Sequence, residues 1–510
     1  MRRSSENLVR SLYRAARVHT FSALGGGDWL LVDDRHVERV GTGRPPEADR
    51  VVDLPGTTIL PGFVDAHVHL SGTGMVGEGL NLSEATSRRH LLDLVREHAQ
   101  EAEGPILGLG MDESRWDEPA LPTGADLDGI SMEPIVLVRT DGYLSVANER
   151  ALEASGALER EGAERTAEGR PTGLLTAEAN ATAQRWFFDS LPESHLQDAQ
   201  LRAAGLAVAR GVTCAQEMAI PDKRGRRDVE VLLGHLEDLP LDCIVYIADM
   251  DLPYVMARSF PRVGGDLFLD GSLGARTAAL LSPYADEEGA GQLAYEDEKL
   301  VEFLHQAHLA GLQVGLHCIG DGAIEQALRC WERVYGSLDS RLRRHFRARR
   351  HRLEHFEMAS LHQVERAAAL GLAISIQPGF DAAWGHQGGM YERRLGRERA
   401  WQMNPFRTLV ARGLEVGAGS DTPVTPLDPM HAIWALENHH DPTQHLSREE
   451  AIRLHTIGSA RLAHLEKKGK LEPGAAADFA AYEVDPFDVA DVRGLRPVLT
   501  VSRGRDVYAR

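Results

Sequence analysis

Residues 63–70 read FVDAHVHL, two histidines two residues apart behind an apolar pair. On a strand, residues i and i+2 face the same way. His67 and His69 can therefore present two imidazoles to one ion. With 22 histidines among 510 residues, such a pair also arises by chance roughly once. The same pattern fits two polar residues on an ordinary strand, so partners must come from elsewhere. Three further apolar runs end in a suitable group: VGLHCIGD carries His317, RLEHFE carries His355 and GAGSDTP carries Asp421. Singly, each has a plainer reading. His317 suits a hydrogen-bonded core histidine, His355 a partner for Glu354 or Glu357, and Asp421 a turn. Together, four imidazoles and a carboxylate are the donor types that hold Zn²⁺ and similar divalent ions.

These groups need a frame that brings distant strand ends together. Eight β-like runs, GFVDAHVHL, VTCAQE, LDCIVYIA, GDLFLDG, LQVGLHCIG, HRLEHFE, LAISIQP and EVGAGSD, alternate with helical stretches such as EDEKLVEFLHQAHLAGL. Alternation implies a parallel sheet, and eight units imply an α/β fold of the (β/α)8 TIM barrel type, with catalytic groups at the C-terminal strand ends. The expected limits are 61–464. The gap between the first two runs is too long for one crossover, so 72–200 is expected to be an inserted α+β subdomain. WLLVDD, HVERVG and RVVDLPG near the start, with ADFAAYEV and PVLTVSRGRDVYAR near the end, predict a small β-sandwich domain from 1–60 plus 465–510.

Composition narrows the partners. Hydrophobic residues make up 43% of the chain, enough for a full core. A formal net charge of −20 argues against nucleic acid, whose phosphates need a basic surface. No apolar run is long enough for a membrane helix, and no secretory leader pattern is present, so a cytoplasmic enzyme is expected, and a homodimer is compatible with its size. The cysteines form no C-x-x-C pair and read as reduced, mainly core residues.

The stretches LPGFVDAHVHL, RTDGYLSVANERAL, LDGSLGARTA, HCIGDGAI, RLEHFE, GSDTPVTPLDP and GKLEPGAAADFAAYEVDPF resemble the amidohydrolase superfamily. Within it they are similar to the large branch that includes N-substituted formamide deformylase-like enzymes. The resemblance implies a metal-bearing barrel and hydrolysis of a non-peptide C–N bond in a small amide: an N-acyl or N-formyl amine, or a cyclic amide. His67 and His69 then hold a divalent metal, expected to be zinc, and Asp421 serves as ligand and proton carrier. His317 and His355 bind a second ion or the oxyanion.

The chain also departs from its resemblance. Similar sequences carry a lysine four residues before the first Asp of DGSLGARTA, and this chain has Asp266 there. An aspartate oxygen lies about three bonds from Cα, against about seven for a carboxylated lysine. Asp266 is therefore expected to fall short unless a water or a backbone shift fills the gap. That leaves one firmly bound metal on His67, His69 and Asp421, with His317 as a further ligand and His355 orienting the attacking water or the substrate carbonyl. Glu217 is the candidate weak ligand to a second. Tyr143 replaces a histidine after Asp-Gly and joins Asp270, Arg276 and Gln377 as substrate-binding candidates. Two other functions fit the same frame: a one-metal deaminase of a heterocycle, and a non-catalytic binding protein.

Overall fold

The computed structural model describes residues 9–77 and 79–510. The predicted metal-site residues lie on or just past members of a set of eight parallel strands: β1 (Phe63–Val68), β2 (Val212–Ala219), β3 (Asp242–Ile247), β4 (Arg262–Val263), β5 (Gln313–Cys318), β6 (Arg352–His355), β7 (Ala373–Ile376) and β8 (Glu415–Ala418). They pair as one sheet of order β3-β2-β1 and another of order β4-β5-β6-β7-β8. Backbone contacts join the two sheets at both edges. At one edge Asp421 N–H donates to His67 O (2.8 Å) and His69 N–H to Thr422 O (3.0 Å); at the other, Gly264 N–H donates to Ile247 O (2.8 Å). The largest apolar cluster includes Phe63, Val212, Leu316, Leu353 and Ile374 from these strands. Both faces of β5 and β7 are buried, which explains why QVGLHC and AISI read as continuous rather than alternating apolar runs.

The fourth strand corrects the expectation. GDLFLDG does not form a regular strand. Pairing stops at Val263, and Gly264 and Gly265 both take positive φ (81° and 76°). A Cβ on Gly264 would lie 2.1 Å from Gly315 O, and one on Gly265 2.3 Å from Met218 Sδ. Only glycine allows this close approach. Beyond the kink, the chain rejoins β5 through hydrogen bonds between His317 N–H and Leu267 O and between Leu269 N–H and His317 O.

Two more sheets surround this frame. Segments between Leu80 and Leu175 make a six-stranded sheet, and its core includes Leu82, Leu91, Trp116 and Leu137. A seven-stranded sheet joins Arg10–Val18, Gly27–Asp33, His36–Gly41 and Arg50–Pro61 to Phe479–Tyr482, Pro497–Ser502 and Arg505–Ala509. Arg10–Val18 was not expected as a strand: three arginines interrupt its apolar pattern, and pairing with strands on both sides holds it. Helix ends follow local chemistry. Ser360 and Gln363 form a capping box at one helix start, and Gly371 closes that helix in the left-handed conformation. All four cysteines are free thiols. Among the described residues, no helix is long and apolar enough to cross a membrane.

Candidate metal centre

The C-terminal ends of β1, β5 and β6 and the segments that follow β4 and β8 meet, at the kind of place where parallel sheets gather ligands. His67, His69, His317, His355, Asp266 and Asp421 are all buried there. His69 Nε2 lies 3.1 Å and His67 Nε2 3.5 Å from Asp421 Oδ1. Asp266 stands between the histidines. Its Oδ1 lies 3.0 Å from His317 Nδ1, 3.4 Å from His355 Nε2 and 3.7 Å from His67 Nε2, and its Oδ2 lies 3.3 Å from His69 Nε2.

Asp266 therefore does not fall short, because the backbone at 266 leaves the strand path, the exception that expectation allowed. The Gly264–Gly265 kink changes that path, and the short carboxylate touches all four imidazoles. Glu217 does not take the bridging place. Its Oε2 accepts the Leu70 N–H at 2.7 Å, and among the described residues it belongs to none of the groups of atoms close enough to share an ion.

Outer hydrogen bonds set the histidine tautomers. His69 Nδ1 meets Met218 O at 2.9 Å, and a carbonyl only accepts, so Nδ1 carries the proton. His355 Nδ1 meets Gln377 Oε1 at 2.8 Å and His67 Nδ1 meets Glu354 Oε2 at 3.0 Å. Each arrangement turns an Nε2 toward the centre, the arrangement that orients metal-binding imidazoles. His317 is reversed: Nε2 lies 3.2 Å from Gly271 O and Nδ1 faces Asp266. Glu354 was considered a partner for His355 and instead serves His67, while Arg352 holds it from the other side. Asp65 ties the edge strands, its Oδ1 accepting the N–H groups of His67 (3.1 Å) and Ser420 (2.9 Å).

Electrostatics favour a cation here. Burial opposes ionisation of Asp266, yet His67, His317 and His355 outweigh it and hold the carboxyl well below the usual carboxylate range. Asp421 is lowered in the same way by His67 and His69. Reciprocally, the two carboxylates raise His67 against the effect of its burial. His67 Nε2 and Asp421 Oδ1 are buried without any hydrogen-bond partner. Two orphaned atoms 3.5 Å apart, within a set of imidazoles and carboxylates, fit a divalent ion. Backbone strain gathers at the same point: His355, Phe356 and Asp421 have φ of 69°, 55° and 52°, values that non-glycine residues hold only under surrounding constraint.

The other candidates separate. Tyr143 lines the cavity above the centre, its hydroxyl 3.0 Å from His317 Nε2. Gln377 instead orients His355. Asp270 braces the loop by accepting the N–H groups of Ala279, Ile319 and Gly320, and burial pushes its carboxyl up to about 7. Arg276 is not in the cavity: it pairs with Asp286 (2.9 Å) and Glu287 (3.1 Å). Phe268, Phe380 and Trp384 form aromatic walls, and Lys223 and Arg224 reach in from the segment after β2. Sequence reasoning passed over both cations; the available signal was a basic pair directly after a strand that ends at the site.

Comparison with known proteins agrees with this geometry. The amidohydrolase family model matches residues 50–508, and the chain belongs to that family. It is 28% identical to YtcJ of Bacillus subtilis (strain 168), covering 94% of this chain and 93% of that protein. Identity to the N-substituted formamide deformylase of Arthrobacter pascens is 24%, covering 94% and 95%. A crystal structure of an uncharacterized metal-dependent hydrolase from Pyrococcus horikoshii OT3 superposes with a TM-score of 0.75 at 26% identity, covering 94% of this chain and 98% of that one. The chain is a hydrolase of a metal-dependent amidohydrolase family.

Proposed function

We propose that this enzyme hydrolyses a non-peptide C–N bond in a small amide, an N-acyl or N-formyl amine or a cyclic amide. The eight strands, linked at both sheet edges, are read as a closed (β/α)8 barrel, with the 72–200 insert roofing its mouth and a separate β domain from the two ends. The observation that carries the reading is the buried convergence of His67, His69, His317, His355, Asp266 and Asp421 beneath an aromatic-walled cavity.

The donor set of imidazoles and carboxylates suits zinc. His67, His69 and Asp421 would hold a first ion, and Asp266 and His355 would be the nearest donors for a second, weaker one, with His317 Nδ1 against Asp266. A divalent ion at such a site supplies a polarised carbonyl and an activated water. Asp421 would accept a proton from the attacking water and return it to the departing nitrogen. The new C–O bond forms from water, the C–N bond breaks, and a carboxylate and an amine are released. Tyr143, beside His317, is placed to hydrogen-bond the amide. The relationship to an N-substituted formamide deformylase supports this bond class.

Metal analysis of purified protein, alongside turnover of N-formyl, N-acetyl and cyclic amides, tests the proposal. We expect firmly bound divalent metal and amine release that stops on chelation and returns with metal. Metal-loaded protein that turns over none of these amides would overturn it.

A further inference from the structure

We propose that Lys223 and Arg224 form an anion-binding subsite above the metal centre, so that the substrate is an amide carrying a carboxylate a few bonds from the scissile C–N bond. This rests on the hydrolase reading and deepens it by naming the substrate class.

Both cations are more than nine-tenths buried, with 7% and 9% exposure, and both line the cavity. Lys223 Nζ lies 3.9 Å from the Tyr143 ring centroid and 4.3 Å from that of Phe268. The Arg224 guanidinium lies 5.6 Å from the Phe188 ring, and its Nη1 is buried without a hydrogen-bond partner. Among the described residues, neither side chain has an ion pair with a carboxylate. Buried charge is costly unless something pairs with it, and two adjacent cations without a carboxylate raise that cost.

Apart from Asp222, which is exposed and, among the described residues, makes no ion pair with Lys223, the carboxylates whose fields reach the pair are engaged elsewhere. Asp141 holds Arg139 and accepts the Ser272 hydroxyl at 2.6 Å. Asp228 accepts the Ser71 hydroxyl at 2.6 Å and the Gln200 amide at 2.9 Å. Glu217 accepts the Leu70 N–H. Asp266 and Asp421 face the histidines. A ligand anion is the partner still to be supplied.

The backbone is shaped to present the pair. Gly225, at φ 77°, breaks the helix directly after Arg224. A Cβ on Gly72 would come within 2.5 Å of Arg224 Nη2, and one on Gly142 within 3.6 Å of Lys223 Nζ. Gly72 lies three residues past His69, so the guanidinium stands beside the segment that leaves the metal centre. An anion held there lies close to the reacting carbonyl. The surrounding protein, at a formal −20, repels anions in general. Binding one therefore needs local cations, and two nitrogen donors beside aromatic rings match a carboxylate.

The test compares the holoenzyme on N-formyl and N-acetyl α-, β- and γ-amino acids, on their primary carboxamides and on the matching aminophosphonates. The expected result is a kcat/KM for the best carboxylate roughly 100-fold above its carboxamide, the scale of hydrogen bonds to charged groups. Lys223→Met and Arg224→Met should reduce that ratio toward one, mainly through KM, and Arg224→Lys should restore part of it. Metal content and circular dichroism identify any variant that has lost the centre or the fold. Calorimetric titration of the same carboxylates, with and without Lys223→Met, reads the subsite even where nothing is turned over. Equal use of carboxamides, a ratio that survives both methionine variants, or no carboxylate binding would each overturn the subsite, and preference for phosphonates would overturn the carboxylate assignment. Turnover of neutral amides in those cases would leave the hydrolase reading standing.

Discussion

At the scale of single residues, the centre depends on which atom of each side chain is free. His355 offers Nε2 because Gln377 Oε1 accepts from its Nδ1. Gln377→Leu removes that acceptor without adding charge. Metal affinity should fall about 10- to 100-fold, the usual effect of losing such an outer partner, while KM for a saturating-metal assay stays near the original. A raised KM with unchanged metal affinity would return Gln377 to the substrate. Asp421 is argued to move the proton as well as bind. Asp421→Asn keeps the shape and loses the base, so kcat should fall by on the order of 10²- to 10⁴-fold, measured with metal content determined on the same sample. Near-normal kcat would remove the role.

Among the elements, the break after β4 decides how far Asp266 reaches. Gly265 sits at φ 76°, and a Cβ there would meet Met218 Sδ at 2.3 Å and Tyr246 Cβ at 2.9 Å. Gly265→Ala combines the left-handed penalty, about 1–2 kcal/mol, with overpacking of about 1–3 kcal/mol. It should also displace Asp266 and lower metal retention. Gly413 provides the control: its φ is 74°, but nothing lies within 4 Å of an added Cβ. Gly413→Ala should show only the conformational part in urea unfolding and keep its metal. Equal losses in the two variants would mean that the kink does not position the carboxylate.

Across the whole molecule, buried neutral histidines link stability to pH. His455 is fully enclosed and burial lowers its pKa to about 3. His351 is also pushed well down, by burial and by His308. Its Nδ1 accepts the Val314 N–H (3.0 Å), so Nε2 carries the proton toward His308 Nδ1 (3.1 Å). In the unfolded chain these rings take up protons near pH 6.5. Folded, they do not, so protons favour unfolding as pH falls below that value. The full contribution of these rings is expected above about pH 6.5, with about 1.4 kcal/mol lost per pH unit for each such ring below it, down to about pH 3 for His455. His455→Leu should be less pH-dependent than the original protein, the difference between the two urea midpoints narrowing from pH 7.5 to pH 5.5. A constant difference across that range would exclude the linkage.

Much of the centre was legible from order along the chain. His67, His69, His317, His355 and Asp421 each follow or end an apolar run, and parallel strands bring such ends together whatever the loops do. Pairing of the two chain ends could be anticipated for a similar reason, since both show short strands bounded by turns. What the linear order lacks is distance and exposure. Arg276 and Gln377 looked equivalent as pocket candidates, yet loop paths sent one to Asp286 and the other to His355. Asp266 was judged by side-chain length, but two glycines moved its backbone. Lys223 and Arg224 read like any surface cations until the fold enclosed them, because burial comes from residues far apart in sequence. Residue type thus determined what chemistry was available. Tertiary structure decided which atoms meet, since a carboxylate, an imidazole or a buried cation acquires its function from neighbours a few ångströms away.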